Sequence, residues 1–307
     1  MSIKRATATV EVPATSANLG PGFDSLGLAL GMCDRVSVRA TVGATRVEVR
    51  GQGEGSVSAG EDNLVIKAIR VGLDAAGAPQ GGLELVCHNR IPHGRGMGSS
   101  SAAVVAGLML ARALTTAPNL PGYDPASEGP LSDASLLELA TEFEGHPDNA
   151  APAIYGGATV SWVDANGRGR CASLPVRADL PLTVLVPGTR LATAKARSVL
   201  PDQVSHADAA FNVARAALLT AGLCGVEVDW MEATADRLHQ DARAASMPGT
   251  VGAVRALRRR GLPAVVSGAG PSVLVFQELD PATRAELERD WEVLTPGIDM
   301  QGARIVA

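Results

Sequence analysis

Aromatic residues are scarce in this chain: four Phe, three Trp and two Tyr make up 3% of its 307 residues. A nucleic-acid platform needs stacking rings on a basic face, yet the net charge is −5 and the pI about 5.6. No nucleic-acid partner is expected. Long apolar runs are lacking too. The longest, Ala102 to Leu114, is interrupted by Arg112 and is too short to span a bilayer, so no membrane partner is expected. After Lys4 and Arg5 the chain alternates Thr and Val where a signal peptide would carry an apolar core, and a cytoplasmic location is expected. Cysteine is sparse. Cys33, Cys87, Cys171 and Cys224 lie too far apart for a short metal-ligand spacing or a disulfide framework, and they read as buried free thiols. The one basic run, Arg258 to Arg260, ends a helix-like stretch before Gly261, as cations at a capped helix C-terminus do.

What is present is the composition of a folded, water-soluble protein, 46% apolar and 19% charged. The length favours two domains over one. Thr7 to Pro13 alternates as a strand, and Val36 to Val49 alternates with Gly43 placed for a hairpin turn. Between them Pro13 to Asp24 reads as a loop. Asn63 to Ala76 has helical spacing, Leu83 to Cys87 is a short strand, and Ser101 to Ala113 is rich in helix formers. Ala117 to Pro130 reads as a surface excursion. Ser132 caps a helix through Phe143, and Ala158 to Val163 is a strand followed by a turn at Asn166-Gly167. That turn suggests a boundary, with domains over 1–168 and 169–307. The second half reads as a strand at Leu182 to Val186 and helices over Ala207 to Ala221, Trp230 to Ala245 and Thr250 to Arg260. Strands at Ala264 to Ser267, Val273 to Phe276 and near Ile305 complete it. Helices and strands mix without regular parallel alternation, so the expected class is α+β.

The segment from Pro92 to Ala103, Pro-His-Gly-Arg-Gly-Met-Gly-Ser-Ser-Ser-Ala-Ala, carries the chemistry. Gly94, Gly96 and Gly98 let backbone N–H groups turn around an anion, and the following helix points its positive end at the same place. The hydroxyls of Ser99, Ser100 and Ser101 suit phosphate oxygens or a hard cation such as Mg²⁺. The spacing excludes the Gly-x4-Gly-Lys-Ser/Thr loop, the dinucleotide fingerprint and the Gly-x-Ser-x-Gly elbow.

This segment resembles the phosphate loop of the GHMP kinases. Ser267-Gly268-Ala269-Gly270-Pro271-Ser272 resembles that family's C-terminal glycine motif. The stretch from Pro13 to Asp24 is similar to the N-terminal signature of the family's homoserine kinase branch, and Gly145-His146-Pro147-Asp148-Asn149 fits the same branch. The resemblance implies a ribosomal-S5-like N-terminal domain, a ferredoxin-like C-terminal domain and an active site between them. It implies ATP and Mg²⁺ as cofactors, homoserine as the small-molecule substrate and a homodimer. ATP would lie on Pro92, His93, Gly94, Arg95, Gly96, Met97, Gly98, Ser99, Ser100, Ser101 and Ala102, with Asn63 and Val65 near the adenine. Arg197 and Arg243 match residues that hold the substrate carboxylate, a task suited to the guanidinium fork, and Thr193 would add a donor. Asp24 matches the acceptor of the ammonium, and Asn18 the amide on the reacting hydroxyl. His146 would line the same pocket. Glu138, eight residues before His146, aligns without gaps with the family's metal carboxylate and Ser100 with its hydroxyl ligand, although Glu142 and Glu144 make the same helix acidic. Asp148 occupies the place of a catalytic aspartate in some members; whether it acts as a base is left open. Taken singly, either arginine also reads as a solvated helix residue, and Asp24 as a helix cap. Mevalonate or a sugar as acceptor, or a non-catalytic relative, are the competing readings.

Overall fold

Two sheets organise the chain in the computed structural model, which describes residues 2–306 apart from 117–123, 125, 127 and 128. Most of the expected surface excursion over 117–130 therefore lies outside the described residues. The first half contains β1 (Thr7–Ala17), β2 (Leu26–Thr41), β3 (Arg46–Gly51), α1 (Leu64–Ala75), β4 (Gly82–Asn89), α2 (Ser99–Thr115), α3 (Asp133–Glu144), α4 (Ala150–Tyr155), β5 (Ala158–Val163) and β6 (Gly169–Leu174). The second contains β7 (Thr183–Pro187), α5 (Thr193–Arg197), α6 (His206–Leu223), α7 (Trp230–Ala233), α8 (Pro248–Arg259), β8 (Ala264–Val266), β9 (Val273–Val275), α9 (Pro281–Leu287), β10 (Trp291–Leu294) and β11 (Arg304–Val306).

The larger sheet runs β11-β1-β2-β4-β3, with β5 on β2 and β6 on β5. Against it packs α2, buried along almost its whole length because α1 covers it on one side and β1 lies beneath it. α1 starts where Asn63 accepts a hydrogen bond from the Val65 N–H, and it buries Ile66, Ile69 and Leu73 at helical spacing. The smaller sheet has the order β10-β7-β9-β8, antiparallel throughout. Numbered along the chain that is 4-1-3-2, the ferredoxin-like order. Its own core of Leu185, Val251, Val254, Leu257, Val266 and Val273 lies between sheet and α8. The α+β class and the ferredoxin-like C-terminal half are thus as expected.

Four local expectations differ. β1 continues past Pro13 to Ala17 through a register shift at Pro13/Ala14, so the first five residues of the expected loop are strand. β3 pairs in parallel with β4 and not with β2, so Gly43 makes no hairpin. The helix expected over 230–245 stops at Ala233; the Asp236 side chain caps the N–H groups of Leu238, His239 and Gln240, and only a 3₁₀ turn, Asp241–Arg243, follows. Of the cysteines, Cys87 is buried, while Cys33, Cys171 and Cys224 are half-buried.

The boundary at 168/169 also needs correction. β5 and β6 form an antiparallel hairpin from Ala158↔Leu174 to Val163↔Gly169, and that line cuts through it. At the other end, β11 returns to pair with β1. The larger unit therefore takes both ends of the sequence.

Candidate active site

Gly94, Gly96 and Gly98 all have positive φ, +64°, +70° and +69°. A Cβ on Gly96 would stand 2.3 Å from the Ser267 carbonyl oxygen, and one on Gly98 only 1.9 Å from Thr15 Oγ1. Glycine is required here by conformation and by space. The loop is clamped from outside. Arg95 donates to the Pro187 and Gly188 carbonyls at 2.7 and 3.1 Å, Ser267 Oγ donates to the Gly96 carbonyl at 2.6 Å, and Met97 is buried in the core. Arg95 and Met97 anchor the loop and do not line the cleft. Because α2 already begins at Ser99, its unpaired first-turn N–H groups lie beside the loop glycines at the cleft.

Two cavities meet at this loop. One, of ≈ 400 Å³, is lined by Val36, Val49, Asn63, Val65 and Cys87, with Asp34 and His93 among its polar residues. Asn63, the N-cap of α1, and Val65 in its first turn thus both line it. Asp34 is buried and accepts from the N–H groups of Arg90 and Ile91; burial raises its pKa to about 6 against those two bonds. Burial and the nearby Arg190 and Arg95 hold the His93 imidazole below its ordinary value.

The second cavity is polar. Gly94, Gly96, Gly98 and Ser99 to Ser101 form one wall, and Asn18, Asp24, His146, Asp148, Thr193, Arg197 and Arg243 face them. The structure brings all of these together from segments more than two hundred residues apart. Asn18 and Asp24 hold positive φ of 66° and 53°, on a turn that the Asn18 side chain secures by accepting from the Asp24 N–H and donating to the Gly268 carbonyl, both at 2.9 Å. Asp24 caps no helix. Arg197 donates to it from both terminal nitrogens, at 2.7 and 2.9 Å. Arg243 is 1% exposed, and no carboxylate of the described residues lies within ion-pair distance of it. Burial, and next the positive charge of Arg197, push its pKa down. A buried cation with no ionic partner is costly unless an anion arrives. His146 Nδ1 lies 2.5 Å from Asp148 Oδ1, and Asp148, itself 1% exposed, outweighs burial to raise the imidazole pKa.

Glu138 is elsewhere. Its carboxylate binds Arg170 on β6 at 2.5 Å and does not line the cleft. Glu144 takes the position expected of it, accepting from Ser100 Oγ at 2.7 Å and Ser101 Oγ at 2.9 Å. The two glutamates are six residues apart on α3, which at about 100° per residue turns them about 120° from each other. They cannot both face α2. The gapless count from His146 selects Glu138, which pairs with Arg170, whereas Glu144 is the glutamate that meets the loop serines. A better signal was position: Glu144 is the last helical residue before the loop that carries His146 and Asp148, and it meets the first turn of α2.

This arrangement has relatives. A family model described as the GHMP kinases N terminal domain matches residues 63–157. A homoserine kinase of Streptomyces coelicolor is 44% identical over 307 residues, spanning 99% of this chain and 96% of its own. Another, of Clavibacter michiganensis subsp. michiganensis, is 50% identical over 96% and 93%. The chain belongs to the homoserine kinase branch of the GHMP kinases. The crystal structure of homoserine kinase from Cytophaga hutchinsonii superposes with a TM-score of 0.81 at 26% identity, covering 98% of each chain. Membership accounts for the ferredoxin-like half and for the glycine loop at a helix start, and it makes the protein a kinase acting on a hydroxyl group.

Proposed function

We propose that this chain transfers the γ-phosphoryl group of ATP to the side-chain hydroxyl of L-homoserine, giving O-phospho-L-homoserine, an intermediate of threonine biosynthesis, and ADP. The observation that carries the reading is the buried Arg243, short of an anionic partner and sharing one cleft with the glycine loop. It provides a seat for a carboxylate within reach of a phosphate site. Arg197 completes the fork on the carboxylate, Thr193 adds a donor, and Asp24 takes the ammonium, which neither mevalonate nor a sugar possesses. The adenine would enter the apolar cavity beside Asn63 and Val65, with the phosphates along Gly94 to Ser101.

Transfer is an in-line displacement. The substrate oxygen bonds to the γ-phosphorus as the bond to the β,γ-bridging oxygen breaks, ADP leaves with that electron pair, and the hydroxyl proton is released to solvent. Such a reaction asks mainly for positioning and for neutralising charge. The loop N–H groups and the start of α2 supply fixed positive dipoles to the phosphates. Asn18, tied on both sides of its amide, holds the Asp24 turn rigid and keeps its second amide hydrogen for the reacting hydroxyl. The hydroxyl of Ser100 and the carboxylate of Glu144, hard oxygen donors already in contact, fit Mg²⁺. When bound, that ion would neutralise phosphate charge.

The test is a coupled ADP-release assay with Mg-ATP and homoserine, serine, threonine or mevalonate. Homoserine is expected to be the preferred acceptor; no turnover above background with it would overturn the proposal.

A further inference from the structure

His239 is a buried, titratable residue with no part in the chemistry above, and it touches the arginine that the substrate carboxylate would meet. Its ring is sealed from solvent. Arg243 Nη1 lies 2.7 Å from its Nδ1, and its Nε2 lies 2.8 Å from the Gly20 carbonyl oxygen. A guanidinium can only donate and a carbonyl can only accept. The pair of contacts therefore dictates one neutral tautomer, with the proton on Nε2 and the lone pair of Nδ1 aimed at Arg243. Burial chiefly, and the Arg243 charge after it, hold the imidazole pKa low against the attraction of Asp236 and Asp24.

The rest of the surroundings point the same way. Arg243 Nε donates to the Ala196 carbonyl at 3.1 Å. With the Nε hydrogen and one Nη1 hydrogen engaged, the Nη2 pair and the second Nη1 hydrogen are left for an anion in the cleft. Phe23 stacks on the His239 ring, centroids 5.1 Å apart, and both Arg197 and Arg243 stand 5.6 Å from the Phe23 centroid. Phe23 thus touches His239 and both arginines. Asp236 fixes the backbone of the turn by accepting from the N–H groups of His239 and Gln240.

We propose that His239 is a positioning residue for homoserine: through Nδ1 it orients Arg243 so that one guanidinium edge faces the substrate carboxylate. The inference rests on the assignment of Arg243 to that carboxylate. An asparagine at this position places its amide oxygen where Nδ1 stands, and a glutamine places its amide nitrogen near Nε2. His239→Asn therefore keeps the acceptor for Arg243 and loses the tie to Gly20; His239→Gln does the reverse.

The experiment compares KM for homoserine, KM for ATP, kcat and Tm in the full-length enzyme, His239→Asn, His239→Gln and Arg243→Lys. A hydrogen bond to a charged group predicts a rise in homoserine KM of about tenfold or more in His239→Gln, with ATP KM unchanged, and a rise below about threefold in His239→Asn. Equal losses in both variants, an unchanged homoserine KM in His239→Gln, or an ATP KM that rises in step would overturn the proposal. If Arg243→Lys leaves homoserine KM unaltered, the carboxylate assignment itself fails, whatever the histidine variants do. Should His239→Gln not fold, His239→Asn carries the test: a tenfold rise there overturns the inference. A two-bond ¹H–¹⁵N correlation spectrum of the unsubstituted protein reads the tautomer without any variant, and a proton on Nδ1 would be equally fatal.

Discussion

Arg197 and Asp24 hold each other in a two-pronged ion pair, at 2.7 and 2.9 Å, inside the cleft where each is assigned to one charge of the substrate. A zwitterion exchanges that internal pair for two external ones. A ligand with one charge frees a partner it cannot satisfy. γ-Hydroxybutyrate, lacking the ammonium, and aminopropanol, lacking the carboxylate, should each fall at least about 10²-fold below homoserine in kcat/KM, the scale of stranding one member of a desolvated charge pair. Steady-state kinetics with the three acceptors checks this. A loss below tenfold for either analogue would remove the pair from substrate selection.

The two glutamates of α3 make a clean contrast. Glu144→Gln should lower kcat by about 10²-fold or more, because its carboxylate meets both loop serines. Glu138→Gln should leave kcat within about threefold. Its pair with Arg170 is partly exposed, so the loss of stability should be small. ADP-release rates and chemical denaturation on both variants measure the two effects separately.

Asp148→Asn should cost less than about tenfold in kcat. The carboxylate is buried and its Oδ1 is committed to His146, and phosphoryl transfer of this kind has little need of a proton acceptor. A loss of about 10²-fold, the usual contribution of a base, in single-turnover measurements would instead make Asp148 that base.

Gly98→Ala tests the loop as a shaped cradle. The added methyl would meet Thr15 Oγ1 in a left-handed backbone, so destabilisation of more than about 2 kcal/mol and weakened ATP binding are expected. Gly145→Ala has the same sign of φ with open space around it and should cost only about 1 kcal/mol, with ATP affinity unchanged. Thermal unfolding and nucleotide titration distinguish them.

Stability should respond to the protonation of Asp34. Its folded pKa, about 6, lies above the ordinary 3.8, so the folded state binds its proton more tightly than the unfolded chain does. Its contribution is fully present below about pH 4 and is lost as pH rises through about 6. The stability of the unsubstituted protein minus that of Asp34→Asn should therefore decline across this window and level off above it. Urea denaturation at intervals between pH 4 and 7.5 gives the difference curve; a flat or rising one would contradict the assignment.

Much of this was legible from local pattern. The helix at Asn63, the strand at Ala158 to Val163 and the phosphate loop each carry their instructions within a dozen residues, as caps, alternation and glycines at strained positions. The pairing of β3 was not legible, because its alternation does not name a partner; paired in parallel with β4, it packs Val47 and Val49 against the core. Nor was the break after Ala233, where the Asp236 carboxylate outbids helical hydrogen bonding in a stretch whose composition favours a helix.

The sequence by itself determined the backbone of the loop, glycines at strained positions and serines before a helix, and the order of motifs that marks one family. Tertiary structure decided which acidic side chain meets those serines, that Asp24 and Arg197 hold each other, and that His239 stands behind Arg243. A motif encodes backbone shape, which is local. The partner of a charged side chain depends on helix phase and on the docking of distant segments, and those are set only when the two sheets close around the cleft.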